Sequence, residues 1–87
     1  MFVRINPQRI AELSDPNFNY LINACQTLSK TSREADFPAD LQGRLYQLLR
    51  LAGSNPRSYS ELRATASVVM MQRTFIQRIR ATIPVLA

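Results

Sequence analysis

The sequence predicts an all-α fold: a small bundle of three to four helices with a long C-terminal amphipathic helix. Three observations predict it. Apolar residues recur at spacings of three and four along most of the chain. Cap-type residues stand ahead of these runs. Only two glycines occur, too few for a turn-rich β fold. Eighty-seven residues make a single helical domain, 1–87, and an apolar content of 46% separates it from a disordered tail.

The first helix starts at Asn6-Pro7, an N-cap followed by a proline whose missing N–H costs nothing there. Ile10 and Leu13 share one side of it. Phe2, Val3 and Ile5 form a staple-like arm packing back on the helix. Asp15-Pro16 repeats the device for the second helix, which runs to about Lys30. Its stripe is Phe18, Leu21, Ile22, Cys25 and Leu28, with Asn17, Asn19, Asn23 and Gln26 opposite.

Residues 31–36 read as a polar connection. The third helix starts near Asp36-Phe37-Pro38 and carries Leu41, Leu45, Leu48 and Ala52, widened by Leu49. Asp40 precedes Arg44 by four residues, the favoured order for a helical ion pair. Gly43 either marks close approach of another helix or is simply tolerated there. Gly53 is placed for a left-handed C-cap.

After the turn at 54–57, Ser58-x-x-Glu61 reads as a capping box. One helix is expected from Tyr59 to Ile83, stopped by Pro84. At about 100° per residue, Thr65, Val68, Val69, Gln72, Phe75, Ile76, Ile79 and Ile83 share one broad arc. Arg63, Met70, Arg73, Gln77 and Arg80 lie opposite, and Arg78 lies at a margin. A helix-turn-helix over this stretch would need a phase break and usually a glycine, and neither occurs after Gly53. The expected core is Leu21, Ile22, Cys25, Leu28, Leu41, Leu45, Leu48, Val69, Phe75, Ile76 and Ile79.

Charge divides the chain. Residues 1–40 hold four basic and five acidic side chains, net −1; residues 41–87 hold seven arginines against Glu61, net +6. Codon usage in a GC-rich genome would explain arginine over lysine, but not this segregation. The acidic residues Asp15, Asp36, Asp40 and Glu61 stand at helix starts, where they complement the dipole. No acidic residue follows Glu61, so the arginine face of the last helix is one-signed. Arg73 and Arg80 are seven residues apart, roughly 10 Å along one line.

Catalysis is not expected. Histidine is absent, removing the commonest general base and metal ligand. Cys25 is the only cysteine, so neither an internal disulfide nor a Cys-based zinc site can form, and its place on an apolar stripe reads as a buried small hydrophobe. Lys30 and Glu34 lie in a polar connection with no sign of a desolvated site. No glycine-rich phosphate loop occurs, and no cofactor or metal is expected.

No apolar run reaches the length of a membrane span, and the N-terminus does not read as a secretory h-region. With a lone thiol, this favours the cytoplasm. The last helix is basic and amphipathic, but it lacks tryptophan and lysine and its apolar arc suits a bundle core, so no membrane role is expected.

The expected function is a binding module: a small adaptor, inhibitor or regulatory protein. It would bind a protein partner with an acidic surface through Arg63, Met70, Arg73, Gln77, Arg78 and Arg80, because methionine and arginine suit protein interfaces. Self-association into a homo-oligomer is a further expectation. The alternative is nucleic-acid binding, with the same face meeting phosphates. Tyr46 and Tyr59 are too few for a stacking platform on single strands.

Overall fold

The computed structural model describes residues 3–83. Among them lie five α-helices and no strand: α1 (Pro7–Ala11), α2 (Asp15–Ser29), α3 (Ala39–Leu51), α4 (Tyr59–Met71) and α5 (Arg73–Thr82), with a 3₁₀ turn at Glu34–Asp36. The all-α class and the bundle arrangement match the sequence expectation. Phe2 of the expected N-terminal arm, and Pro84, the expected helix stop, lie outside the described residues.

Local chemistry explains most of the boundaries. The Arg9 N–H donates to Asn6 Oδ1 at 3.1 Å, the expected cap of α1. The cap of α2 sits one residue earlier than expected. Ser14 Oγ accepts from the Asn17 N–H at 3.4 Å, so Asp15 falls inside the first turn with Pro16. Both residues are cap types, and a proline fits the first turn in either register.

The third helix, by contrast, starts later than expected. Asp36 ends the 3₁₀ turn, Phe37 is buried, and Pro38 leads into α3. That helix closes in a Schellman motif: Ser54 N–H donates to Leu49 O at 2.8 Å and Gly53 N–H to Arg50 O at 3.0 Å. Gly53 has φ 86°, the left-handed conformation this cap requires. Gly43 faces open space, so it marks no close approach of a second helix. The expected Asp40–Arg44 pair does not form. Arg44 stacks over Tyr20, 4.7 Å from the ring centroid, and donates to Asn17 Oδ1 at 3.4 Å.

The capping box of α4 is present. Glu61 N–H donates to Ser58 Oγ at 3.2 Å, and the Glu61 carboxylate reaches back to accept from the Arg57 N–H at 3.3 Å. The long helix expected from Tyr59 to Ile83 is divided. Gln72 leaves the helical basin (φ −99°, ψ 10°) and separates α4 from α5.

Packing follows from these elements. α2 is the central helix, with α3 and α4 on it, while α5 packs chiefly on α1 and meets α4 at their junction. The core joins Leu21, Ile22, Cys25 and Leu28 of α2 to Leu45 and Leu48 of α3, Val69 of α4 and Ile76 of α5, all buried as expected. Ile10, Phe18, Phe37, Leu49 and Leu62 complete it. Each large side chain buried this way stabilises by about 1.5–3 kcal/mol relative to exposure. Leu41 and Ile79 are only partly buried, packed against the cluster. Phe75 is not a core residue: it is 56% exposed.

The error over Phe75 has one cause. Ile76 is the buried centre of α5, and Arg73, Ile79 and Arg80 flank it, half-buried. On a helical wheel Phe75 lies about 100° to one side of Ile76, and Arg80 about 40° to the other. At about 100° per residue the buried positions of α4, Leu62, Thr65, Ala66 and Val69, lead on to Arg73, Ile76 and Arg80, so Phe75 lies outside the inward arc and the arc expected from the sequence was centred too far to its side.

Candidate functional site

The expected site was the arginine face of a straight helix. The structure distributes its six residues differently. Gln77 and Arg78 are exposed on α5, and Arg73 is half-buried at its start. Arg63 is half-buried on α4 and extends towards the Ser32 carbonyl, 3.5 Å away. Met70 is partly buried and packs against the core, so it does not stand among the arginines as an exposed contact.

Arg80 departs furthest from expectation. Its guanidinium turns inward and donates to Ala11 O at 2.8 Å and Leu13 O at 2.6 Å. A second nitrogen forms an ion pair with the Asp15 carboxylate. The same group lies over the Phe18 ring, 4.3 Å from the centroid. Three features recruit an arginine here: the carbonyls where α1 ends, a carboxylate at the start of α2, and an aromatic face between them. A planar fork with several donors satisfies all of them, whereas an ammonium group would not. Arg80 is thus a clamp between α5 and the α1–α2 corner, and its donors are not available to a partner. The Arg73–Arg80 ladder expected from the spacing does not exist as a surface feature.

Two residues outside the expected set take its place. Met71 is 77% exposed and Phe75 is 56% exposed, four residues apart across the break. Arg78, one turn beyond Phe75 on α5, is exposed as well. The surface is therefore an apolar pair with cations beside it, and no acidic residue occurs from Leu62 to Ala87. Periodicity pointed to Met70 in place of Met71 and put Phe75 in the core. Both errors come from centring the apolar arc too far towards Val68 and Phe75: the buried positions Leu62, Thr65, Ala66, Val69 and Ile76 leave Met71 and Phe75 outside it. No glycine, proline or cap-type residue marks the end of α4 at Gln72.

The chemistry elsewhere is quiet. Burial pushes the Cys25 thiol up to about 12, so it is a protonated, desolvated group at neutral pH. Among the described residues no group of three or more His, Cys, Asp or Glu side chains comes together in a way that could hold a metal ion. No helix among them is long and apolar enough to cross a membrane. Tyr59, considered above for base stacking, is partly buried against the core.

The depressions among the described residues are shallow; the two larger, about 390 and 430 Å³, lie at the Arg80 clamp and beside Gln47, Arg50 and Leu51 of α3. A depression of about 250 Å³ lies between the N-terminal arm and the α3–α4 turn, lined by Arg4, Ser54, Asn55, Glu61 and Thr65 among others. Two of its hydroxyls are already paired: Ser54 Oγ–H donates to Arg4 O at 2.9 Å, tying the N-terminal arm to the end of α3, and Thr65 Oγ1–H donates to Glu61 O at 2.8 Å within α4. Comparison with protein families, with curated proteins and with solved structures found no match to this chain.

Proposed function

We propose that this chain is a non-enzymatic binding module, a small adaptor, inhibitor or regulatory protein, which docks on an acidic surface of another protein. The contact face is Met71, Phe75 and Arg78, which fall within about 60° of one another on a helical wheel. One observation carries the reading: two exposed apolar side chains, Met71 and Phe75, beside an exposed arginine in a stretch with no acidic residue. Interfaces are enriched in aromatic residues, methionine and arginine, and their energy concentrates in a few such anchors. A phosphate would satisfy Arg78 but would leave Met71 and Phe75 in water, so the apolar pair favours a protein over a nucleic acid. A reducing compartment such as the cytoplasm suits the unpaired Cys25.

The test is affinity capture from the native host with and without nuclease, using the wild type, Phe75→Ala and Arg78→Glu. The expected result is an acidic protein retained after nuclease treatment and lost with either variant. Loss of everything on nuclease treatment, with log affinity falling linearly in log salt by about 0.9 per phosphate neutralised, would instead establish nucleic-acid binding. A retained protein indifferent to both substitutions would remove this face from consideration.

A further inference from the structure

The buried positions of α4 and α5 keep one phase, Leu62, Thr65, Ala66 and Val69 leading on to Ile76. Their exposed positions therefore form one continuous face as well. Three long side chains stand on it: Met71, Phe75 and Arg78, at i, i+4 and i+7. That spacing draws them into a ridge roughly 10 Å long. Met71 is 77% exposed and Phe75 56%, so both project from the surface. The depressions at the N-terminal arm, at the Arg80 clamp and beside Leu51 of α3 are lined by none of the three. The exposed residues around the ridge are short: Ser67, Thr74, Ala81 and Thr82. The contact face is thus convex, a narrow crest with low shoulders.

We propose that the partner protein receives this ridge in an apolar groove with a carboxylate on its rim. This chain supplies the helix, and the partner supplies the cleft. The inference rests on the acidic-partner reading and adds the shape of the partner's site. A flat partner surface would cover the tips of Met71 and Phe75 and leave their sides in water. Only two facing walls bury such a crest, and the short side chains of Thr74 and Ala81 let a wall approach the helix. Anchors at i, i+4 and i+7 are the pattern by which a helix is read in a groove. Arg78 places the rim. It is exposed, and the only ion pair among the described residues is Arg80 with Asp15, so its guanidinium is open to a carboxylate. It lies three residues beyond Phe75, about 4.5 Å along the axis, so the acid belongs at the end of the apolar groove.

The test is photo-crosslinking in the native host. A compact diazirine amino acid replaces Met71, Thr74, Phe75 or Ala81 in the full chain, one site at a time, and the adducts are mapped to residues. The crest sites (Met71 and Phe75) and the shoulder sites (Thr74 and Ala81) should all label one protein, on segments that lie apart in its sequence. Phe75→Ala should lower the adduct from the Met71 site about 10-fold, because a few anchors carry most of the energy of such contacts. The Arg78→Lys variant, treated with a zero-length carbodiimide, should couple to an aspartate or glutamate of the same protein. Adducts from the crest sites with both shoulder sites silent would mean flat docking; that result overturns the groove and leaves the acidic partner standing. Labelling from all four sites without coupling of the Arg78→Lys variant would overturn the acidic rim. Adducts to nucleic acid, to a second copy of this chain or to nothing would overturn the acidic-partner reading and the groove with it.

Discussion

Arg80 in α5 and Asp15 in the first turn of α2 form the only ion pair among the described residues, and it joins the last helix to the corner between the first two. The arginine is 22% exposed and the aspartate 88%, so the two partners contribute unequally. Most of the arginine's value comes from its bonds to the Ala11 and Leu13 carbonyls and from the Phe18 ring. The pair itself is close to a surface ion pair, worth about 0–1 kcal/mol. Arg80→Ala should therefore lower stability by roughly 2 kcal/mol, and Arg80→Lys by about half as much. Asp15→Asn should cost less than about 1 kcal/mol. Urea unfolding of the three variants checks the order, and equal losses for Arg80→Ala and Asp15→Asn would mean the ion pair dominates.

Cys25 makes stability fall at alkaline pH. Its thiol is raised by burial from 9.0 to about 12 in the folded chain. Below pH 9 both states are protonated and the group is neutral in its effect. Between about 9 and 12 the unfolded chain ionises while the folded chain does not, so stability should drop by about 1.4 kcal/mol per pH unit. Cys25→Ala should remove that slope while costing stability at neutral pH through the lost sulfur contacts. Denaturant midpoints from pH 8 to 11 in both proteins give the comparison. The native thiol should also react with a thiol reagent only as fast as the chain opens.

The two glycines make opposite predictions. Gly43 lies within α3, and a Cβ there meets nothing within 4 Å. Gly43→Ala should stabilise by about 0.5–1 kcal/mol. Gly53 has φ 86°, and a Cβ there would lie 3.0 Å from the Arg9 guanidinium. Gly53→Ala should destabilise by about 1 kcal/mol or more, most of it backbone strain, since the arginine tip can move aside. Thermal unfolding of the pair, with the wild type between them, is the measurement.

Legibility in the sequence depended on range. Asn6, Ser58 with Glu61, and Gly53 work within one helical turn, and their roles were readable from residue type and spacing. Ser14 and Asp15 are both competent caps, so that boundary was readable only to within a residue. The stripe of α2 was readable because one face suffices to bury a helix against two neighbours. Arg80 was not. Its acceptors lie near residue 11 to 15, and an arginine seven residues after another looks like a surface ladder until those acceptors are in place. The end of α4 at Gln72 was not readable either, because a good helix former gives no local sign of a break. Met71 and Phe75 were missed for another reason: several apolar residues border the buried arc, and spacing alone did not show where its centre lies.

Phe75 and Ile76 are adjacent, and only Ile76 is structural. The arc expected from the sequence includes both, so truncating either would empty part of the core. In the structure Ile76 is fully buried and Phe75 is 56% exposed. Ile76→Ala should then cost about 2–5 kcal/mol, a large share of the stability of a domain this small. Phe75→Ala should change stability by no more than about 0.5 kcal/mol, as for a surface position without a special role. Met71→Ala should behave like Phe75→Ala for the same reason. The contrast is a stability measurement on purified protein, so it tests the placement of the proposed contact face without requiring its partner. A Phe75→Ala loss comparable to that of Ile76→Ala would put the aromatic ring back in the core and leave the arginines without an apolar anchor.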